Sequence, residues 1–467
     1  MNASREDTVK LSNLESGTAN DIDLGDNKRE HATIPLEQLP TLGTTIAYLD
    51  GLRGLAAFMV YWYHHASWFY GPQDEIQNGF GYNNGSRYFV TLPFVRIFWT
   101  GGGAAVAIFF VLSGYVLSRS PLQMLRDGEN PRRKLLSATL RRPFRLFIPT
   151  IGVSFAMVLA LQLPIRPLLS WPPAQSNIFA EIWNFIIEVP QALNPFVEHS
   201  PQSKWFPYNP PVWTMAYEFK GSLLVFGALA SVATLQHKVR LLVFVIISLL
   251  LFFLGFWAMA CFFFGVLLAL NDIEGLDQPY LRRLSARTRT TVFHFIFFSG
   301  WYLISQVNGE RDPERSSSIT GWYLLTMLIP PNYKVKEYWR FWNSIGAFMV
   351  IYGVLHIRWI QKRLESLRYL GKVSFSLYLT HMPFLWIVGD RVYRVLGHRI
   401  PEFGQDSIFD NTLVFPDVGP RGLTTRFLIA QAVIFPANMA LAHFATKWLD
   451  EPSITVGRWV SVRILGR

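Results

Sequence analysis

The sequence predicts an all-α protein, a polytopic transmembrane helical bundle of about ten spans with both termini in the cytosol. Three observations carry that expectation. Of 467 residues, 51% are hydrophobic, 15% aromatic and only 16% charged, and the apolar residues gather in long blocks. Sixteen tryptophans suit the two interfacial belts of a bilayer. Lysine and arginine concentrate in alternate loops, as short cytosolic loops require. Mean hydropathy is only +0.22 because a polar head and charged loops dilute the blocks.

Residues 1–42 are polar and acid-rich without an apolar core, which predicts a disordered cytosolic tail rather than a cleaved signal peptide. A transmembrane domain over 43–450 follows, and 451–467 form a short basic cytosolic tail. The candidate spans are 46–69, 98–118, 143–163, 211–235, 239–254, 257–270, 291–307, 341–357, 373–394 and 424–446. The fifth and sixth could be one long helix broken at Gly255 and Phe256. Cytosolic charge falls between Arg119 and Arg145, at Lys238 and Arg240, from Arg282 to Arg289, and from Arg358 to Lys372. The block 319–331 is too short to span and reads as a re-entrant or interfacial element. The Pro- and Trp-rich segment 164–210 is long enough to be a lid, or a surface loop stiffened by prolines. Asn84-Gly85-Ser86 on the predicted far side permits glycosylation, as a glycoprotein would use it.

The first block, YLDGLRGLAAFMVYWYHH, carries Asp50, Arg53 and His64 in otherwise apolar surroundings. Ionisable groups in hydrocarbon are costly and ask for a reason. Arg53 and His64 are eleven positions apart, about three turns, so they share a face about 16 Å apart along the axis. An imidazole accepts a proton from a hydroxyl because its ordinary pKa lies near working pH; equally, a membrane histidine serves as structural glue between helices. His65 points about 100° away and is the weaker candidate. Asp50 reads as a local partner of Arg53 and a helix-start charge.

Further along, IFFVLSGYVLS offers Ser113 and Gly114, small residues that let helices approach closely. RRPFRLFIPT supplies Arg142 and Arg145, three apart, either as positive-inside anchors or, with Arg53, as a basic mouth for a cytosolic polyphosphate such as coenzyme A. VWTMAYEFKGS places Glu218 about 10 Å inside the far face, near the depth expected of His64, where it would orient the imidazole or pair with another helix's arginine. SFSLYLTHMPF contributes Ser374, Ser376, Tyr378 and His381, with Pro383 able to kink the helix there.

Other classes fit poorly. The net charge of +11 reads as cytosolic loops rather than nucleic-acid binding. Cys261, the only cysteine, forbids an intramolecular disulfide and lies in an apolar run unsuited to a thiolate. HExxH, paired CxxC and GxSxG are absent, which argues against a metal site and a serine hydrolase.

The ordered set LDGLRGLAAF, FFVLSGYVLS, RRPFRLFIP, WTMAYEF, SLYLTHMPF and DEPSITVGRW, from Leu49 to Arg458, resembles the acyltransferase 3 family of integral membrane acyltransferases. The resemblance implies transfer of an acyl group, often acetyl, from acyl-coenzyme A to a hydroxyl of a carbohydrate or small molecule such as a secondary metabolite. It implies that His64 is catalytic, that Arg53 belongs to its motif, and that Ser113, Arg142, Arg145, Glu218 and His381 share the site. Thr214 stands where common bacterial members have serine, and the WTMAYEFKGS form looks closer to fungal members. The expected mechanism docks acyl-coenzyme A on Arg53, Arg142 and Arg145. His64 acts as general base oriented by Glu218, and His381 and Ser113 shape the thioester site. The alternative is a proton-coupled transporter using the same buried His, Glu and Arg, a reading that lacks the expected internal repeat.

Overall fold

A computed structural model describes residues 47–71, 74–82, 85–168, 172–197, 205–307, 313–319, 321–335, 337–400 and 406–466. Residues 1–42 and Asn84 of the glycosylation signal lie outside them. Every regular element among the described residues is helical, and each of the ten apolar blocks coincides with a helix. Among the described residues four helices are long and apolar enough to cross a membrane: Gly102–Arg126, Arg132–Leu161, Trp257–Glu274 and Thr425–Leu465. A fifth is added if Trp339–His356 and Arg358–Glu365, bent by 94°, count as one span. The chain is thus a helical membrane protein.

Helix α1 (Ala47–Tyr70) is 24 residues long, enough for a bilayer, yet its Asp, Arg, His and aromatic residues keep it out of that apolar set. Its polar side chains turn toward other helices. Helices α2 (Gly102–Arg126) and α3 (Arg132–Leu161) follow, then α4 (Ile178–Leu193) and α5 (Trp213–Ser231). Helix α2 packs along α1 and α5, and α3 packs on α5.

The described part of segment 164–210 is not all irregular chain, since it holds α4. Its helix α4 buries Glu181, Phe185 and Glu188 and turns Phe179, Trp183, Ile186 and Ile187 outward. That inverted amphipathic pattern suits a helix bordered by lipid rather than water. Both carboxylate oxygens of Glu181 are occupied, one by the Tyr208 hydroxyl at 2.8 Å and the other by Gln162 and the Gln175 amide at 2.9 and 2.7 Å.

Helices α6 (His237–Phe253) and α7 (Trp257–Glu274) are two elements folded back on each other. Phe252 meets Phe264 and Phe244 meets Phe263, contacts that a single broken rod could not make. Gly255, with φ of 87°, supplies the left-handed turn between them. Helix α7 packs closely along α2, where a Cβ on Gly114 would lie 1.9 Å from the Phe262 carbonyl oxygen and one on Gly265 2.1 Å from that of Val111. Gly114 is thus the close-packing residue the sequence suggested.

Helices α8 (Ala286–Ile304) and α9 (Trp339–His356) form a pair; the described residues of the block 319–331 between them hold a five-residue helix, Tyr323–Met327, and end where a four-residue helix, Pro331–Lys334, begins. Helix α10 (Arg358–Glu365) lies across α1, and α11 (Arg368–Phe384) runs along α1. A π-turn at Leu385–Gly389 leads into α12 (Asp390–Val395). Pro383, just before this turn, lacks an N–H and so breaks the α-helical ladder at the Leu379 carbonyl. Helix α13 (Thr425–Ala445) passes through a second π-turn, Thr446–Asp450, into α14 (Glu451–Leu465). Residues 451–465 are accordingly helical, and α14 packs on α3.

Candidate active site

Three of the predicted residues meet in one cluster. The Ser113 hydroxyl of α2 donates to Glu218 Oε1 at 2.6 Å, and Arg142 Nη2 of α3 donates to Glu218 Oε2 at 2.8 Å. Arg142 Nε donates to the Ser222 hydroxyl at 2.7 Å, one turn along α5 from Glu218. The Arg142 and Glu218 side chains are each 12% exposed, so this charge pair sits in low-dielectric surroundings where it is strong. Ser113 is thereby more than a packing residue: its hydroxyl turns to α5 while Gly114 seats α7.

Glu218 does not orient His64. No hydrogen bond joins them, because both carboxylate oxygens face Ser113 and Arg142. A guanidinium carries full charge and a planar fork, so a carboxylate in a dry interior pairs with it in preference to a neutral ring. The arginine partner that VWTMAYEFKGS left open is Arg142.

Arg53 donates to Asp50 at 2.9 Å, the local pair expected from their spacing, and remains partly exposed. Arg53, Arg142 and Arg145 lie within electrostatic reach of one another and of Glu218. Arg145 is exposed and makes no ion pair or hydrogen bond among the described residues. The three cations share this end of the bundle with the carboxylates of Glu218 and Asp50, and of the three only Arg145 makes no ion pair among the described residues. Asp450 also faces Arg145 and Arg53, and its Oδ1 is buried without a partner. It was missed as a site residue although it opens the DEPSITVGRW segment, because nothing in that segment tells which helix it faces.

His64 and His381 come together at the other level. Their ring centroids are 5.0 Å apart at 34°, and Tyr63 lies 4.9 Å from the His64 ring on its own helix. His64 is only half-buried and has no hydrogen-bond partner among the described residues. His381 is fully buried, and its Nδ1 lies 2.7 Å from the Tyr378 carbonyl oxygen. A carbonyl only accepts, so Nδ1 carries the proton and Nε2 is left with its lone pair, unpartnered.

His65 belongs elsewhere, as its direction on the helix predicted. Its Nδ1 lies 2.9 Å from the Tyr393 hydroxyl, which accepts from Gln431, which in turn accepts from Tyr61 at 2.7 Å. This fully buried chain is a structural tie between α1, α12 and α13. Ser374 donates to the Gly371 carbonyl one turn back on α11, while Ser376 accepts from Thr446 and ties α11 to the turn that follows α13. Thr214 shares a hydrogen bond of 2.9 Å with Tyr378, and both lie within hydrogen-bond distance of the Pro211 carbonyl. Cys261 is buried, and no metal-holding group of His, Cys, Asp and Glu occurs among the described residues.

The arrangement is a two-level site on α1: a cluster of arginines and carboxylates at Arg53 and an open imidazole beside a second imidazole about 16 Å away along the axis. A family model described as an acyltransferase domain, acyltransferase 3, matches residues 46–416. An O-acetyltransferase of Phomopsis amygdali, PaAT-1, is 27% identical over 90% of this chain and 85% of its own length. The acyltransferase clz18 of Cochliobolus lunatus is 19% identical over 89% of this chain and 95% of its own. No solved structure matches. The chain belongs to the acyltransferase 3 family, resembles its fungal members, and is a membrane O-acyltransferase.

Proposed function

We propose that the protein moves an acetyl group from cytosolic acetyl-coenzyme A to a hydroxyl of a small molecule or carbohydrate, with about ten spans and both termini in the cytosol. The observation that carries this reading is the pairing, on α1, of an arginine in a basic cluster with an open imidazole three turns on. Arg53 and Arg145 would receive the phosphates, since Arg145 has no internal partner among the described residues and Arg53 has only Asp50. Arg142 would contribute charge while holding Glu218 and, through it, Ser113. The acyl arm would then lie along α1 toward His64.

His64 acts as general base. It takes the proton of the acceptor hydroxyl as the oxygen attacks the thioester carbonyl; the carbon–sulfur bond breaks, and the imidazolium returns the proton to the departing thiolate. The acetyl choice is supported by the name of the Phomopsis relative, an O-acetyltransferase. An assay of membranes with labelled acetyl-coenzyme A and a panel of hydroxylated acceptors tests the reading. Transfer should fall by about 10²- to 10⁴-fold in His64→Ala. Full transfer by a well-folded His64→Ala protein would remove the base assignment, and proton-coupled uptake without coenzyme A release would remove the acyl-transfer reading.

A further inference from the structure

The turn that carries His381 is held by side chains from three other segments. Tyr378 is hydrogen-bonded through its hydroxyl to Thr214 and the Pro211 carbonyl, and Thr380 donates to Asn438 Oδ1 of α13 at 3.1 Å. Between them, Asn209 Nδ2 donates to the Leu379 carbonyl at 2.8 Å. In a regular helix that carbonyl would accept from the N–H four residues on, and the residue there is Pro383, which has none.

Asn209 is 0% exposed and lies in the short run before α5, remote in sequence from α11. Its position has no local explanation: as the residue before a 3-10 turn its side chain makes no capping bond to that turn. Its whole donor capacity toward the protein goes to the one carbonyl that the proline leaves bare. Without it, that carbonyl would be buried with no partner for its ladder bond, and the turn would relax toward another one.

We propose that Asn209 is a positioning residue for His381: by supplying the hydrogen bond that Pro383 cannot, it holds the turn that presents the His381 ring to His64. The inference rests on the acyl-transfer reading for its kinetic consequence but not for its structural one. Asn209 touches neither proposed substrate; it acts through Leu379, two residues from the imidazole. Holding a reacting group within a fraction of an ångström is worth about 10²-fold in rate.

The test uses the full chain in lipid nanodiscs, the same chain carrying Pro383→Ala as a reference background, and three variants: Asn209→Ala, the similarly sized Asn209→Leu, which has no donor, and Asn209→Ala on the Pro383→Ala background. Both single variants should lower kcat by about 100-fold and leave the KM for acetyl-coenzyme A unchanged. Pro383→Ala restores a chain N–H to the Leu379 carbonyl, so adding Asn209→Ala to it should cost far less than Asn209→Ala costs alone. In ¹⁵N-histidine spectra, the His381 signal with Nδ1 protonated, assigned by its loss in His381→Asn, should shift or broaden in Asn209→Ala. Wild-type kcat in both single variants, or an undiminished loss on the Pro383→Ala background, overturns the proposal. An unchanged His381 signal overturns it as well. A changed signal in a protein that transfers no acetyl group at all would uphold the positioning role and reject the acyl-transfer reading.

Discussion

Arg142 and Glu218 form a buried ion pair between α3 and α5, with Nη2 and Oε2 2.8 Å apart and a serine hydroxyl on each side chain. Breaking such a pair leaves a charge in a dry interior, whereas removing both charges together does not. Arg142→Met alone should therefore destabilise the protein by about 3–5 kcal/mol. Arg142→Met with Glu218→Met should recover most of the thermal stability in detergent while remaining inactive. Equal melting of the single and double variants would show that the pair contributes little.

The adjacent histidines of α1 should separate activity from stability. His64 is half-buried and without a hydrogen-bond partner among the described residues, so His64→Gln should abolish transfer and leave the melting temperature unchanged. His65 is fully buried in the Tyr61, Gln431 and Tyr393 chain, and His65→Gln should cost about 1–3 kcal/mol. Thermal unfolding and acetyl transfer measured side by side on both variants check the assignment.

The crossing of α2 and α7 has no room for a side chain at Gly114, since a Cβ there would sit 1.9 Å from the Phe262 carbonyl oxygen. Gly114→Ala must push backbones apart, at about 1–3 kcal/mol or more, and should lower the yield of folded protein. Gly227 on α5 has nothing within 4 Å of a built Cβ, so Gly227→Ala should leave the yield unchanged or raise it. Fluorescence-detected size-exclusion profiles of the two variants make the comparison.

Arg145 is exposed and makes no ion pair among the described residues, so its removal should cost binding rather than folding. A charge-assisted hydrogen bond to phosphate contributes about 1.5 kcal/mol, which is about tenfold in affinity. Arg145→Ala should raise the KM for acetyl-coenzyme A by about that factor, with kcat and melting temperature unchanged. The gap from wild type should narrow as salt rises. An unchanged KM at low salt would remove Arg145 from the donor site.

Much of this was legible in the chain. Ten apolar blocks became helices because side-chain hydropathy alone decides which segments can be buried in the protein or face lipid. The Asp50–Arg53 pair followed from a spacing of three on one helix, and the divergence of His65 from His64 from the rotation per residue. Helix α4 was less visible: its exposed stripe of Phe179, Trp183, Ile186 and Ile187 is interrupted by Glu181 and Asn184 and followed by Pro190, in a segment rich in prolines.

What the sequence determined by itself is local: the helices, their polar positions, and the ordered motifs that mark the family. These follow from hydropathy and helical periodicity, which act within one segment. Which polar groups pair was decided only by the tertiary structure. Glu218 looked equally suited to His64 or to an arginine, and the packing of α3 on α5 brought Arg142 to it. His381 and His64 are remote in sequence and met because α11 runs along α1. Asn209 acquired a purpose only when Pro383 left the Leu379 carbonyl open beside it. The physical reason is the same in each case: a buried charge or carbonyl must find a partner, and that partner comes from whichever helix the fold sets opposite it.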